Sequence, residues 1–151
     1  MNIDHRSIYK VLLIDDDAEE CIVFEKALTE INPKIICKCV NDLPEVADAV
    51  IDYSPDLIFL DINMRPVNGL EYLKAFKEIQ TLDSIPIIIY SGSSNKMEIN
   101  MAYEHGASLY FIKLDSTKDL IINLDKVLQM NWKMPLVIKQ SFYDKGYYHA
   151  L

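Results

Sequence analysis

The stretch Pro55–Gly69 reads PDLIFLDINMRPVNG. Leu57 to Leu60 form an unbroken apolar run, the pattern of a strand buried on both faces. The run ends in Asp61, and Pro66 and Gly69 then break the pattern. Asn68 is placed to cap a following helix, with Glu71 three residues on. A carboxylate at the end of a buried strand is costly unless a partner meets it. Asp15, Asp16, Ser91 and Lys113 are the candidates elsewhere in the chain.

Working outward, the same design recurs. Tyr9–Ile14 (YKVLLI) is an apolar run ending in Asp15, Asp16 and Asp17. Cys21, Phe24, Leu28 and Ile31 then recur at helical spacing until Pro33. Lys34–Val40 reads as a second strand, and Asp42 with Glu45 as the cap of a second helix. Asn68–Ile79 is expected to be the third helix, with Leu70, Leu73 and Phe76 on its core face. Ile85–Tyr90 is a fourth strand, and Ser91–Asn95 a polar loop after it. Lys96–His105 is a short fourth helix stopped by Gly106. Ser108–Lys113 is a fifth strand, and Ser116 opens a last helix carrying Leu120, Ile121, Leu124, Val127 and Leu128. Strands alternating with helices through short connections predict a parallel sheet covered on both faces.

The chain has 151 residues, half of them hydrophobic, with a net charge of −8. That length suits one domain with one core. We expect a lead-in over 1–8, the domain over 9–132 and an aromatic tail over 133–151. The acidic balance argues against direct binding to nucleic acid or an anionic membrane. No apolar run approaches the roughly 20 residues that span a bilayer, and the N-terminus lacks a secretory apolar stretch. A cytoplasmic protein is expected. Cys21, Cys37 and Cys39 form no metal-ligand pattern and are expected to be reduced and mostly buried.

In a parallel sheet the strand ends carrying Asp15, Asp16, Asp61, Ser91 and Lys113 share one edge, where ligands bind. Two carboxylates about 5 Å apart repel by roughly 3 kcal/mol at an effective dielectric near 20. A hard divalent cation removes that cost, and few protein ligands favour Mg²⁺ over Ca²⁺. A carboxylate polarised in this way can act as a nucleophile towards a phosphoryl group. Ser91 and Lys113 would meet the phosphoryl oxygens.

Four pieces, LLIDDD (12–17), LIFLDINM (57–64), IIIYSG (87–92) and LYFIK (109–113), stand in order, each at a strand end. With them the chain resembles a response-regulator receiver domain, the phospho-acceptor half of two-component signalling. The resemblance implies an α/β, flavodoxin-like, doubly wound five-stranded parallel sheet, with order 2-1-3-4-5 inherited from members of that fold class. It implies that Asp61 accepts the phosphoryl group, Asp16 binds Mg²⁺ directly, Asp15 binds it through water, and the Asn63 backbone carbonyl adds a ligand. Ser91 and Lys113 take the family's hydroxyl and lysine roles, and Tyr110 that of its aromatic switch. Asp17 fits no family role and reads as first-turn helix charge.

Two departures stand out. Leu114 follows Lys113 where the family usually has proline, so a trans bond and a shifted loop are expected. Arg65 stands where the family has proline, with Pro66 displaced by one. The implied function is a stand-alone, non-enzymatic acceptor in a phosphorelay. A sensor histidine kinase or histidine phosphotransfer protein would be the donor, and a protein target would receive the output. A homodimer could form through the tail or the fourth-to-fifth helix face. The alternatives are an aspartyl-nucleophile phosphatase, which would want an acid where Asn63 stands, and a phosphorylation-independent interaction module.

Overall fold

The computed structural model describes residues 8–41, 46–64, 68–79, 84–130 and 132. The elements are β1 (Lys10–Ile14), α1 (Ala18–Ile31), β2 (Ile36–Val40), α2 (Val46–Tyr53), β3 (Leu57–Leu60), α3 (Gly69–Glu78), β4 (Ile87–Ser91), α4 (Lys96–Glu104), β5 (Leu109–Ile112) and α5 (Thr117–Leu128). All strand pairings are parallel, in the order β2-β1-β3-β4-β5. The expected flavodoxin-like sheet is therefore the observed one. The cap expected at Asp42 and Glu45, the displaced Pro66 and the stretch 133–151 fall outside the described residues.

α1, α3, α4 and α5 each start where a side chain replaces a missing backbone partner. Asp17 caps α1 by accepting from the Glu19 N–H at 2.9 Å. It is thus the N-cap, one residue ahead of the helix, and not a first-turn charge; the acids of the first turn are Glu19 and Glu20. Asn68 caps α3 through the Leu70 N–H at 2.8 Å, Asn95 caps α4 and Ser116 caps α5. Gly106 ends α4 with a φ of +99°, in the left-handed region that a Cβ disfavours.

β1, β3 and β4 supply the core, and β3 is buried along its whole length. β2, at one edge, alternates between exposed and half-buried positions before Val40. α1 packs beside α5, and α3 beside α4. Under α1 the rings of Phe24, Phe59, Tyr90 and Phe111 interlock, with centroids 4.9 Å apart for Phe24–Phe59 and 5.2 Å for Phe24–Tyr90. Burying each phenylalanine side chain contributes about 1.5–3 kcal/mol.

The cysteines correct the sequence reading. Cys21 on α1 and Cys39 on β2 are joined as a disulfide, their Cα atoms 6.0 Å apart, while Cys37 is free. The crossover from α1 into β2 brings together residues 18 apart in sequence, which spacing alone does not reveal. Burial pushes the Cys37 thiol up to about 12, so it is a poor nucleophile.

Candidate functional site

Register places the site. Ile14 pairs with Leu60, and Leu60 with Ile89, so the residues one step further, Asp15 and Asp61, end their strands level with each other. The Asp61 N–H donates to the Ile14 carbonyl at 2.9 Å, and the Asp15 N–H to the Val40 carbonyl at 3.1 Å. Ser91 closes β4, one residue later than the expected strand end, and its carbonyl accepts from the Lys113 N–H at 2.8 Å. Pro86 lies outside β4 because it has no N–H to give a ladder.

Asp15, Asp61 and Ser91 are the buried polar side chains among the described residues. The Lys113 ammonium reaches Asp15 Oδ2 at 2.9 Å and Asp61 Oδ2 at 3.4 Å. The remaining oxygens are held by short-range bonds. Asp15 Oδ1 accepts from the Asp17 N–H at 3.0 Å, and Asp61 Oδ1 from the Asn63 N–H at 3.1 Å. Asp16 is exposed at the rim, yet one oxygen from each of Asp15, Asp16 and Asp61 lies within 4.8 Å of the others.

This arrangement leaves Asp61 undercompensated. Burial raises its carboxyl from 3.8 to about 6; Lys113 and the Asn63 N–H oppose the rise, and the Asp15 charge adds to it. Burial also pulls Lys113 down, but its hydrogen bond to Asp15 and the charges of Asp61, Asp15 and Glu20 win and raise it. One ammonium therefore serves two buried acids unequally, closer to Asp15 than to Asp61.

A pH dependence follows from that imbalance. Because folded Asp61 titrates above its unfolded value, the folded state holds more protons between the two values. Stability should fall as pH rises from about 4 to about 7, by up to about 3 kcal/mol, in metal-free protein. Asp61→Asn should lose that part of the slope. Urea titrations in a chelator across this range check it, and parallel pH profiles for the two proteins would contradict it.

Ser91 and Tyr110 form a second arm. Ser91 Oγ accepts from Asn63 Nδ2 at 3.0 Å and from the Ser93 N–H at 3.1 Å. The Tyr110 ring is fully buried, its hydroxyl donates to the Ser93 carbonyl at 2.8 Å, and its phenol also meets the Ser91 side chain. Burial is the main cause that holds the phenol above its ordinary value. Leu114 packs half-buried against the core.

All the acids, the hydroxyl and the lysine singled out from the sequence thus meet at one edge. The Asn63 amide bond to Ser91 was not foreseen, and neither was the approach of Gly69 to the Asp61 backbone. A polar residue two positions after a strand-end acid is a weak signal for the first. A glycine opening a helix is a weak signal for the second.

The oxygen-only donor set, with Asp61 undercompensated, fits a hard cation such as Mg²⁺. No described helix is long and apolar enough to cross a membrane.

Residues 11–125 match the family model of the response regulator receiver domain. The chain is 32% identical over 114 residues to the DNA-binding transcriptional regulator NtrC of Proteus hauseri, covering 74% of this chain and 23% of that protein. It is 26% identical to the probable C4-dicarboxylate response regulator DctR of Bacillus subtilis, covering 85% of this chain and 56% of that protein. The chain therefore spans well under two thirds of the length of these relatives. Among solved structures, the signal receiver domain of a DNA-binding response regulator (merR) from Colwellia psychrerythraea superposes with a TM-score of 0.72 at 20% identity, over 81% of this chain and 99% of that one. With the family model matching most of its length and the acids, hydroxyl and lysine gathered at one sheet edge, the chain belongs to the response regulator receiver domain family.

Proposed function

We propose that this chain is a phospho-acceptor in two-component signalling, with Asp61 as the acceptor. The observation that carries the reading is the position of Asp61: buried at the end of the central strand, 3.4 Å from the Lys113 ammonium, with Asp15 and Asp16 beside it. The donor is the phosphohistidine of a sensor kinase or a histidine phosphotransfer protein, and a cytoplasmic location belongs to the same proposal.

An Asp61 oxygen attacks phosphorus as the P–N bond to the donor imidazole breaks, and the imidazole leaves with the electron pair. The Asn63 N–H holds Oδ1 of Asp61, which keeps Oδ2 turned towards Lys113. The Lys113 ammonium then neutralises a phosphoryl oxygen. Asp16, Asp61 and the Asn63 carbonyl, with Asp15 through water, would hold Mg²⁺, which when bound supplies positive charge against the acids and the phosphoryl oxygens. Ser91 accepts two hydrogen bonds and keeps its own proton to give. Turning that hydroxyl to the phosphoryl group breaks its tie to Asn63 and loosens Tyr110 from Ser93. The two positions of Ser91 and Tyr110 are then populated differently with and without phosphate.

Output passes by protein contact or by onward phosphotransfer. Exposed Met97 and Met101 on α4 and Ile122 on α5 offer apolar surface for a target or a second copy. A phosphatase reading would need a proton donor where Asn63 stands, and its amide donates to Ser91 instead.

Incubation with Mg²⁺ and acetyl phosphate, read by intact mass, tests the proposal. One phosphoryl group is expected on the native chain and none on Asp61→Asn. Repeated turnover without a stored adduct would favour the phosphatase, and no reaction at all would favour the interaction module.

A further inference from the structure

The residue before Ser91 is a fully buried tyrosine, and the mechanism above makes no use of it. Ile89 is level with Leu60, so Tyr90 is level with Asp61, just as Asp61 is level with Asp15. Asp15, Asp61 and Tyr90 therefore form one row across β1, β3 and β4, on one face of the sheet. Tyr90 pairs with Phe111 on β5, and Lys113 is two residues further, so its side chain leaves the strand on that same face. The ammonium lies over the Tyr90 ring, 5.3 Å from its centroid. The ring itself has little freedom. Phe24, Phe111 and Phe59 pack around it at 5.2, 5.6 and 6.2 Å between centroids.

We propose that Tyr90 is a positioning residue for Lys113, a neutral aromatic floor that holds the ammonium over the acid pocket by its ring face. The inference rests on the phosphoryl-acceptor reading for its consequence, though not for its geometry. A cation over a desolvated aromatic face is attracted without any ionic partner. That matters because the pocket already holds three carboxylates. A fourth anion would fix Lys113 too, but it would deepen the negative potential that an incoming phosphoryl group must meet. The ring adds attraction for the ammonium and no net charge. Burial and the nearby carboxylates of Glu20, Asp15 and Asp61 keep the phenol protonated. The ring also stays in place when the ammonium turns from a carboxylate oxygen to a phosphoryl oxygen, so it limits how far Lys113 swings towards water.

The test compares Tyr90→Phe with Tyr90→Leu. In the native protein with labelled lysine, ring current should shift the Lys113 ε-methylene protons upfield of those of the other lysines. The shift should persist in Tyr90→Phe and vanish in Tyr90→Leu. Phosphorylation by acetyl phosphate at saturating Mg²⁺, well below each protein's melting temperature, should slow about 5- to 10-fold in Tyr90→Leu and change less than twofold in Tyr90→Phe. Unshifted Lys113 protons in the native protein would overturn the proposal without any variant, so a misfolded Tyr90→Leu leaves it testable. Equal rates in Tyr90→Leu and the native chain, or equal losses in both variants, would overturn it as well. If the native chain takes no phosphate, the acceptor reading fails, and the methylene shift still decides whether the ring holds the lysine.

Discussion

Lys113→Met should destabilise the metal-free protein by about 3–5 kcal/mol at pH 8. Methionine keeps most of the apolar stem, so the change removes chiefly the charge. What remains is two buried carboxylates, Asp15 and Asp61, that had shared one ammonium at 2.9 and 3.4 Å. Breaking a buried pair from one side leaves an uncompensated charge, and that penalty exceeds what the pair itself contributes. The loss should shrink towards pH 5. Asp61 already titrates near 6 and without its cation would take up a proton more readily, which neutralises it. Added Mg²⁺ should restore much of the stability at pH 8, because a second cation then faces the acids. Urea unfolding at both pH values, with and without Mg²⁺, reads all of this. A loss equal at pH 5 and pH 8 and indifferent to Mg²⁺ would mean that Lys113 acts by packing, not by charge.

Gly69→Ala carries the second large effect, and two influences oppose each other there. Gly69 opens α3, where alanine is favoured over glycine by up to about 1 kcal/mol. A Cβ at that position, however, would overlap the Asp61 carbonyl oxygen and lie 2.7 Å from the Ile62 Cα. Those atoms are backbone at the end of β3, so no side chain can swing aside. The Gly69 N–H also donates to the Ile62 carbonyl at 3.0 Å, which fixes the approach. Overpacking against such atoms costs about 1–3 kcal/mol, at times more. We expect a net loss of about 1–2 kcal/mol, together with slower phosphorylation because the acceptor's own backbone must move. Gly92→Ala is the control: nothing lies within 4 Å of a Cβ there, and its stability should be within about 0.5 kcal/mol of the native chain. Thermal melts and phosphorylation rates of the two variants side by side decide the matter. A Gly69→Ala protein as stable and as reactive as Gly92→Ala would show that the β3–α3 approach is looser than these distances.

Much of this was legible in the sequence, for reasons that can be named. The runs before Asp15, Asp61 and Ser91 are apolar on both faces, and in a parallel sheet their ends must share an edge. With the run before Lys113, that suffices to bring Asp15, Asp61, Ser91 and Lys113 to one edge from the sequence. The caps at Asn68 and Ser116 were legible because they are short polar side chains just ahead of an apolar helical pattern. What escaped depends on side-chain direction and on distances between elements. The bond from Asn63 to Ser91 needs one rotamer of one amide. The meeting of Cys21 with Cys39 needs α1 laid beside β2. The seat of Lys113 on Tyr90 needs the register of four strands. A tyrosine in an apolar run looks like any other core residue until its level in the sheet is known.

The central place of β3 has a consequence for how the molecule breathes. β1 and β4 flank it on either side, so its amide hydrogens are enclosed by ladders, whereas β2 lies at the margin. Local openings that let solvent deuterium in begin at such margins and cost less there than in the interior. Exchange should therefore reach the Lys38 and Val40 amides, which donate to β1, long before those of Phe59 and Leu60. Asp61, anchored at the end of the slowest-exchanging strand, would keep its setting through fluctuations that peel the outer strand away.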